Sequence, residues 1–254
     1  MIRYQALDRA QLPRRDVNKA QFVGVVTDLI PPQEDAPAPR PQAFLVEQIP
    51  NWSLTPHFHE EHQFQVFVQG DGSLGSKPVD LFAVHYASPH TGYGPLVSGE
   101  NGISYLTLRA VGDTGAWYLP ESRERNLRIP KVGAHASPAT LVDAAALSTL
   151  ASPQTEVLIE LRPSGLAAWL LQLGPGQRMP QPLGAEQGGG RFLVVAQGLL
   201  SLPQATLPPP GVVWVGAEDA LEVTAGPQGL ALLVVQFPAE AAQSFIEAHP
   251  ELSQ

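Results

Sequence analysis

Five of the seven histidines in this 254-residue chain fall between positions 57 and 90. Three of them sit in one short stretch, Pro56-His57-Phe58-His59-Glu60-Glu61-His62-Gln63. Alternate residues of an extended strand project to one face, so His57 and His59 point the same way, about 6.5–7 Å apart along the backbone. Two imidazoles at that spacing can converge on one ion, each at about 2.0–2.1 Å. A third ligand must come from elsewhere, and His90, in Ala87-Ser88-Pro89-His90-Thr91-Gly92, follows the next pair of strands. The chain has no cysteine, so metal chemistry is limited to imidazole, carboxylate and amide ligands.

The elements around these residues read as short strands. Residues 21–30 read as a strand ended by Pro31-Pro32, and the apolar runs Ala43–Val46, Phe64–Val68, Leu81–Val84 and Ile103–Leu108 are each bounded by Gly, Pro, Asn or Asp. The segment from Pro31 to Pro41 reads as a Pro-rich loop. Residues 119–153 change character: Glu121 to Arg128 is charged, and Pro138 to Leu150 predicts one short helix. Strands resume with Val157–Ile159, Ala168–Leu171, Phe192–Val195, Val212–Val215 and Leu230–Val235, and the stretch after Pro238 predicts a terminal helix.

The two halves repeat. A shift of 128 residues sets Phe64, Val66, Gln69-Gly70 and Ser73-Leu74 against Phe192, Val194, Gln197-Gly198 and Ser201-Leu202. A duplicated β unit is the simplest account. In this register His57, His59 and Gln63 become Ala185, Gln187 and Arg191, and His90 falls near Ala220. The second copy keeps the apolar residues and the glycine but none of the candidate ligands, so the histidines are not needed to build the unit.

The stretch from His57 to Gly70 resembles the first motif of the cupin superfamily: His-x-His, three or four residues, Glu, six residues, Gly. Here Gln63 stands where the motif has Glu, and His90 is the residue that matches the superfamily's second motif. The resemblance implies an all-β protein of two tandem jelly-roll β-barrels with a short linker helix and a C-terminal helix. The expected division is a metal-binding barrel over 1–120, a linker over 121–153 and a degenerate barrel over 154–254. It also implies one divalent metal on His57, His59 and His90, with Gln63 as a fourth ligand or as a hydrogen-bond partner of a metal-bound water. Fe(II) is favoured, with Zn, Mn or Ni open. Three imidazoles and an amide leave the ion at +2, which suits an anionic chelating substrate such as an enolate, diketonate or catecholate. The favoured reading is an Fe(II) dioxygenase. A Zn, Mn or Ni isomerase, lyase or hydrolase and a non-enzymatic binding protein are the alternatives.

Other residues are weighed on their strands. Gln65 and Phe67 continue the face of His57 and His59 and are expected to line a substrate pocket. Tyr105, Thr107 and Arg109 share one face of a later strand; if it is inward, Arg109 can pair with a substrate oxyanion. Tyr93 and Trp117 are candidate aromatic walls. His62 is expected in an exposed turn, with a pocket-rim or proton-transfer role possible. His85, on an apolar strand, reads as a core residue. His59-Glu60-Glu61-His62 falls one residue short of the zinc-protease helix motif, and Gly188-Gly189-Gly190 lacks the Lys-Ser/Thr of a phosphate loop.

Composition narrows the partners. Charged residues are 15% of the chain and Gly and Pro number 23 and 26, as in a turn-rich β protein. A net charge of −9 disfavours nucleic acid and anionic membrane surfaces. The reading is a soluble cytoplasmic protein, monomer or homodimer, acting on a small molecule.

Overall fold

The computed structural model describes residues 1–33, 36–113, 115–138, 140–179 and 185–250. Its strands, in chain order, are β1 (Ile2–Ala6), β2 (Arg14–Lys19), β3 (Phe22–Ile30), β4 (Gln42–Gln48), β5 (Ser53–Leu54), β6 (His57–Phe58), β7 (Gln63–Leu74), β8 (Lys77–Val79) and β9 (Val84–Ala87). They continue as β10 (Leu96–Arg109), β11 (Trp117–Tyr118), β12 (Gly133–Ala136), β13 (Gln154–Ile159), β14 (Ala167–Leu173), β15 (Gly188–Leu202), β16 (Ala205–Leu207), β17 (Gly211–Val215) and β18 (Thr224–Pro238). Two short helices, α1 (Ala144–Ser148) and α2 (Phe245–Ala248), fall in the two regions predicted to be helical. The strand expected at Leu81–Val84 begins only at Val84, because Phe82 turns back at φ 64° and its N–H bonds to Phe67 O.

The chain forms two compact units, and their boundaries differ from the expected 1–120, 121–153 and 154–254. The first barrel comprises residues 9–137 and 241–254; the second comprises 1–8 and 138–240. Backbone pairing supplies the reason. Strand β1 is the antiparallel partner of β17, from Ile2↔Val215 to Ala6↔Gly211, so the opening residues complete the second sheet. The expected linker is split: β12 pairs with β9 in the first barrel, and α1 buries Leu147 in the second. The C-terminal segment returns to the first barrel, where the Glu61 carboxylate accepts from Ser244 Oγ (2.6 Å) and Phe245 N (3.0 Å).

The first barrel's sheet runs β12-β9-β7-β10-β4-β3-β2, with β5 on β10 and β8 on β7, and β6 pairs with β11 as a separate ribbon. All of these pairings are antiparallel. Its core gathers Val26, Val46, Leu54, Phe67, Leu74, Val79, Leu96, Ile103 and Tyr105. The second sheet runs β1-β17-β15-β18-β14-β13. Its apolar core includes Trp169, Leu171, Leu193, Val195, Val213, Val215, Leu232 and Val234. Full burial of each such side chain stabilises by roughly 1.5–3 kcal/mol.

The repeat read from the sequence is present in the backbone. Gly70 and Gly198 adopt φ 78° and 76°, and a Cβ at either would meet a carbonyl oxygen on the neighbouring strand, Gly102 O at 2.1 Å or Gly229 O at 2.0 Å. Only glycine fits both the left-handed conformation and the close approach. Both units are jelly-roll barrels, and no helix among the described residues is long and apolar enough to cross a membrane.

Candidate functional site

A cavity of about 240 Å³ opens inside the first barrel. Phe22, Val26, Phe44, Val46 and Leu54 form its apolar wall, and His57, His59, Gln63, Tyr93, Arg109 and Asp113 gather at its polar end. Gln65, Tyr105, Thr107 and Tyr118 also line it. Strand alternation explains the selection: Gln63 and Gln65 on β7, and Tyr105, Thr107 and Arg109 on β10, take inward positions, and Gln65↔Thr107 are direct cross-strand partners. Strand β6 sets His57 opposite Tyr93 through a pair of backbone bonds, His57 N→Tyr93 O at 3.1 Å and Tyr93 N→His57 O at 3.0 Å.

The polar end is one directed hydrogen-bond network. His57 Nδ1 lies 2.9 Å from Thr55 O, so this nitrogen carries the proton and Nε2 accepts from Tyr93 Oη at 3.0 Å. Tyr93 Oη in turn accepts from Gln63 Nε2 at 2.7 Å. Gln63 Oε1 accepts from Arg109 Nε (3.1 Å) and Nη2 (2.6 Å), and Arg109 Nη1 donates to Gln42 Oε1 at 2.8 Å. His59 Nδ1 sits 2.8 Å from Asp113 Oδ2 and 2.9 Å from Gly115 O. Two oxygen acceptors place the proton on that nitrogen, and Nε2 makes no hydrogen bond among the described residues. Arg109 Nη2 stands 3.0 Å from the same Nδ1 and 3.9 Å from Asp113 Oδ2.

Burial keeps both imidazoles neutral. It lowers the pKa of His57 to about 3, with His59 adding to the effect and the bond to Thr55 opposing it. His59 is lowered by burial first and by Arg109 second, against the pull of Asp113. Burial also raises the Tyr93 and Tyr105 phenols above their usual range.

His90 does not join this site. It occupies a turn in which Thr91 N bonds Ser88 O, and its own φ of 58° directs the side chain away from the cavity. Its ring lies 5.3 Å from Phe58 and 5.6 Å from Phe245, with Nδ1 accepting from Leu127 N at 3.4 Å. Phe58 alternates with His57 and His59, so a ring packed on it lies across the ribbon from them. No group of three His, Asp or Glu among the described residues can hold a metal ion.

The metal implied by the sequence resemblance therefore does not fit these residues. The third imidazole is absent, and Tyr93 stands beside His57 in its place. Gln63 is no substitute for a carboxylate, because Arg109 holds its carbonyl and turns its amide N–H₂ towards Tyr93. A guanidinium, 3% exposed, occupies the neighbourhood where a cation would sit.

Two further expectations are corrected. Phe67 is a core residue beneath the cavity, its ring 5.4 Å from that of Tyr105, rather than part of the lining. His62 is buried instead of exposed: its Nδ1 is 2.6 Å from Tyr86 Oη, burial lowers its pKa to about 4, and it does not line the cavity. Gln65, Tyr105 and Arg109 do line it. Trp117 lies outside, under the Arg125 guanidinium at 3.7 Å. His85 is buried on β9, edge-on to Tyr93 at 5.0 Å. The sequence reading missed Asp113, which lies beyond the end of β10 with no motif to mark it; Tyr93, expected as an aromatic wall, does line the cavity, and its hydroxyl's bonds to His57 and Gln63 were not foreseen.

No family model and no curated protein matches the chain. Solved structures do. A putative dioxygenase from Nostoc punctiforme is 14% identical, with 94% of this chain and 84% of that chain covered and a TM-score of 0.57. Quercetin 2,3-dioxygenase from Acinetobacter baumannii is 13% identical, with 94% and 80% covered and a TM-score of 0.52. A bacterial pirin from Escherichia coli, in complex with nickel(II), is 10% identical, with 94% and 99% covered and a TM-score of 0.53. Over 94% of its length the chain shares the fold of these structures.

Proposed function

We propose that the first barrel binds a small organic acid, held without a metal at the Arg109 end of its cavity. The observation that supports this is the orientation of Gln63. With its oxygen bonded to Arg109, the polar end offers N–H donors where a metal would need lone pairs. The charged side chains lining the cavity are Arg15, which is paired with Asp28, and Arg109 and Asp113 at the polar end, where the guanidinium is the group that can meet an oxyanion. The apolar wall receives the body of the molecule, and His59 Nε2 remains as the acceptor for a hydroxyl or protonated group.

The structural neighbours are described as dioxygenases, oxalate decarboxylases and a nickel-bound pirin, and this spread of chemistry means the fold does not choose a reaction. The Fe(II) dioxygenase reading, like that of a Zn, Mn or Ni enzyme, needs a third ligand beside His57 and His59.

Calorimetric titration with aromatic and aliphatic carboxylates and their amides tests the proposal, together with elemental analysis of protein purified without chelators. The expected result is saturable binding of the acids, amides weaker by roughly 10-fold or more, and metal far below one ion per chain. Equal binding of acid and amide, or a full equivalent of metal lost in His57→Ala, would overturn it.

A further inference from the structure

The second barrel holds a buried cation that is hydrogen-bonded or ion-paired to none of the described residues. Arg191 is 3% exposed and takes an inward position on β15, in line with Leu193 and Val195 of the apolar core. Its Nε is buried with no hydrogen-bond partner, and the guanidinium makes no hydrogen bond or ion pair among the described residues. A guanidinium does not discharge in a folded protein, so burial leaves it charged and desolvated at once. The carboxylate that acts on it from a distance is Asp219, and this is bonded to the α-amino group of Met1.

The first barrel shows how such a charge is settled when partners are present. There Arg109 on β10 bonds Gln63 on β7 and Gln42 as well, with the Asp113 carboxylate 3.9 Å away. In the second barrel the same two residue types are exchanged between the corresponding strands: Arg191, 128 positions after Gln63, is the cross-strand partner of Gln236 on β18. This pair does not bond. Gln236 Nε2 donates to Gly165 O at 2.7 Å instead, and the arginine's donors are left unassigned.

We propose that Arg191 anchors a second site, at the end of the C-terminal barrel, for a small oxyanion, a carboxylate or a phosphate. The planar fork of the guanidinium binds two oxygens of such a group side by side. The apolar residues behind it exclude water and leave the ligand as the charge partner.

Thermal unfolding and calorimetric titration in an oxyanion-free buffer test this, with inorganic phosphate, acetate or chloride added at matched ionic strength. The expected result is a saturable rise in melting temperature with phosphate or acetate beyond that with chloride. A response to phosphate alone assigns the site to phosphates, and a response to acetate alone assigns it to carboxylates. Arg191→Met should melt higher than the unmodified protein in oxyanion-free buffer, because an unpaired charge is gone, and, made in an Arg109→Gln background that removes the first barrel's anion anchor, it should not respond to either anion. Arg191→Lys keeps the charge without the fork and should bind at least about tenfold more weakly. Arg109→Gln should retain the response, which separates this site from the cavity of the first barrel. In that background, a response no larger than that of chloride with Arg191 intact, or one that persists in Arg191→Met, would overturn the proposal.

Discussion

Replacing Arg109 with methionine removes three hydrogen bonds to Gln63 and Gln42 and the cation 3.9 Å from Asp113 Oδ2. The side chains of Arg109 and Asp113 are 3% and 2% exposed, so water cannot replace what is lost. Breaking a buried charge pair from one side costs about 3–5 kcal/mol. At an effective dielectric of about 20 the attraction at this distance is on the order of 4 kcal/mol, an upper bound on the coupling. Asp113→Asn neutralises the other partner while keeping the oxygen that faces His59 Nδ1. The double variant should then be less destabilised than the sum of the two single variants, by roughly 1–3 kcal/mol. Urea unfolding of all four proteins, followed by circular dichroism and tryptophan fluorescence, measures the difference. Additivity within about 0.5 kcal/mol would refute the reasoning that these two charges support one another.

Acid should destabilise the protein in a defined window. His57, His85 and His62 have folded-state pKa values of about 3, 3 and 4, whereas in the unfolded chain they take up protons near 6.5. The unfolded state therefore binds more protons below pH 6.5, and stability falls as pH drops from there towards 4. Glu61, raised to about 7 by burial, acts in the opposite sense between pH 7 and 4.5 and offsets one of the three. Near pH 5 the net is about two protons, or roughly 2–3 kcal/mol per pH unit; urea midpoints that match at pH 7 and pH 5 would contradict it. Gly70→Ala and Gly198→Ala should each cost more than about 2 kcal/mol, since the new Cβ meets a backbone oxygen in a left-handed residue. Thermal melts of the two variants check this.

The parts of the molecule that depend on local pattern were legible in the sequence. Strand alternation predicts that His57 and His59 face one way and that Gln65 follows them, and the 128-residue repeat predicts that Gly70 and Gly198 share a role. The parts that depend on one torsion or on distant pairing were not. His90 is a plausible third ligand by position, yet a single left-handed φ sends its ring to Phe58 and Phe245. Whether Arg109 points inward follows from the pairing of β10 with β7, and its hold on Gln63 could not be read from either residue alone. Phe67 lies on the cavity's face but one layer deeper, where packing against Tyr105 closes the barrel.

The crossed ends of the chain bear on how it is made. Strand β1 is synthesised long before β17 and has no edge to join until β17 has been translated, and Glu61 has no cap to receive until Ser244 and Phe245 emerge. Neither barrel can close by its own contiguous stretch, so completion waits until both distant partners have been translated, at the entropic cost of very long loops. Scission between residues 137 and 138 would strand a piece of each barrel on the wrong fragment, and the two products should refold together far better than either does alone.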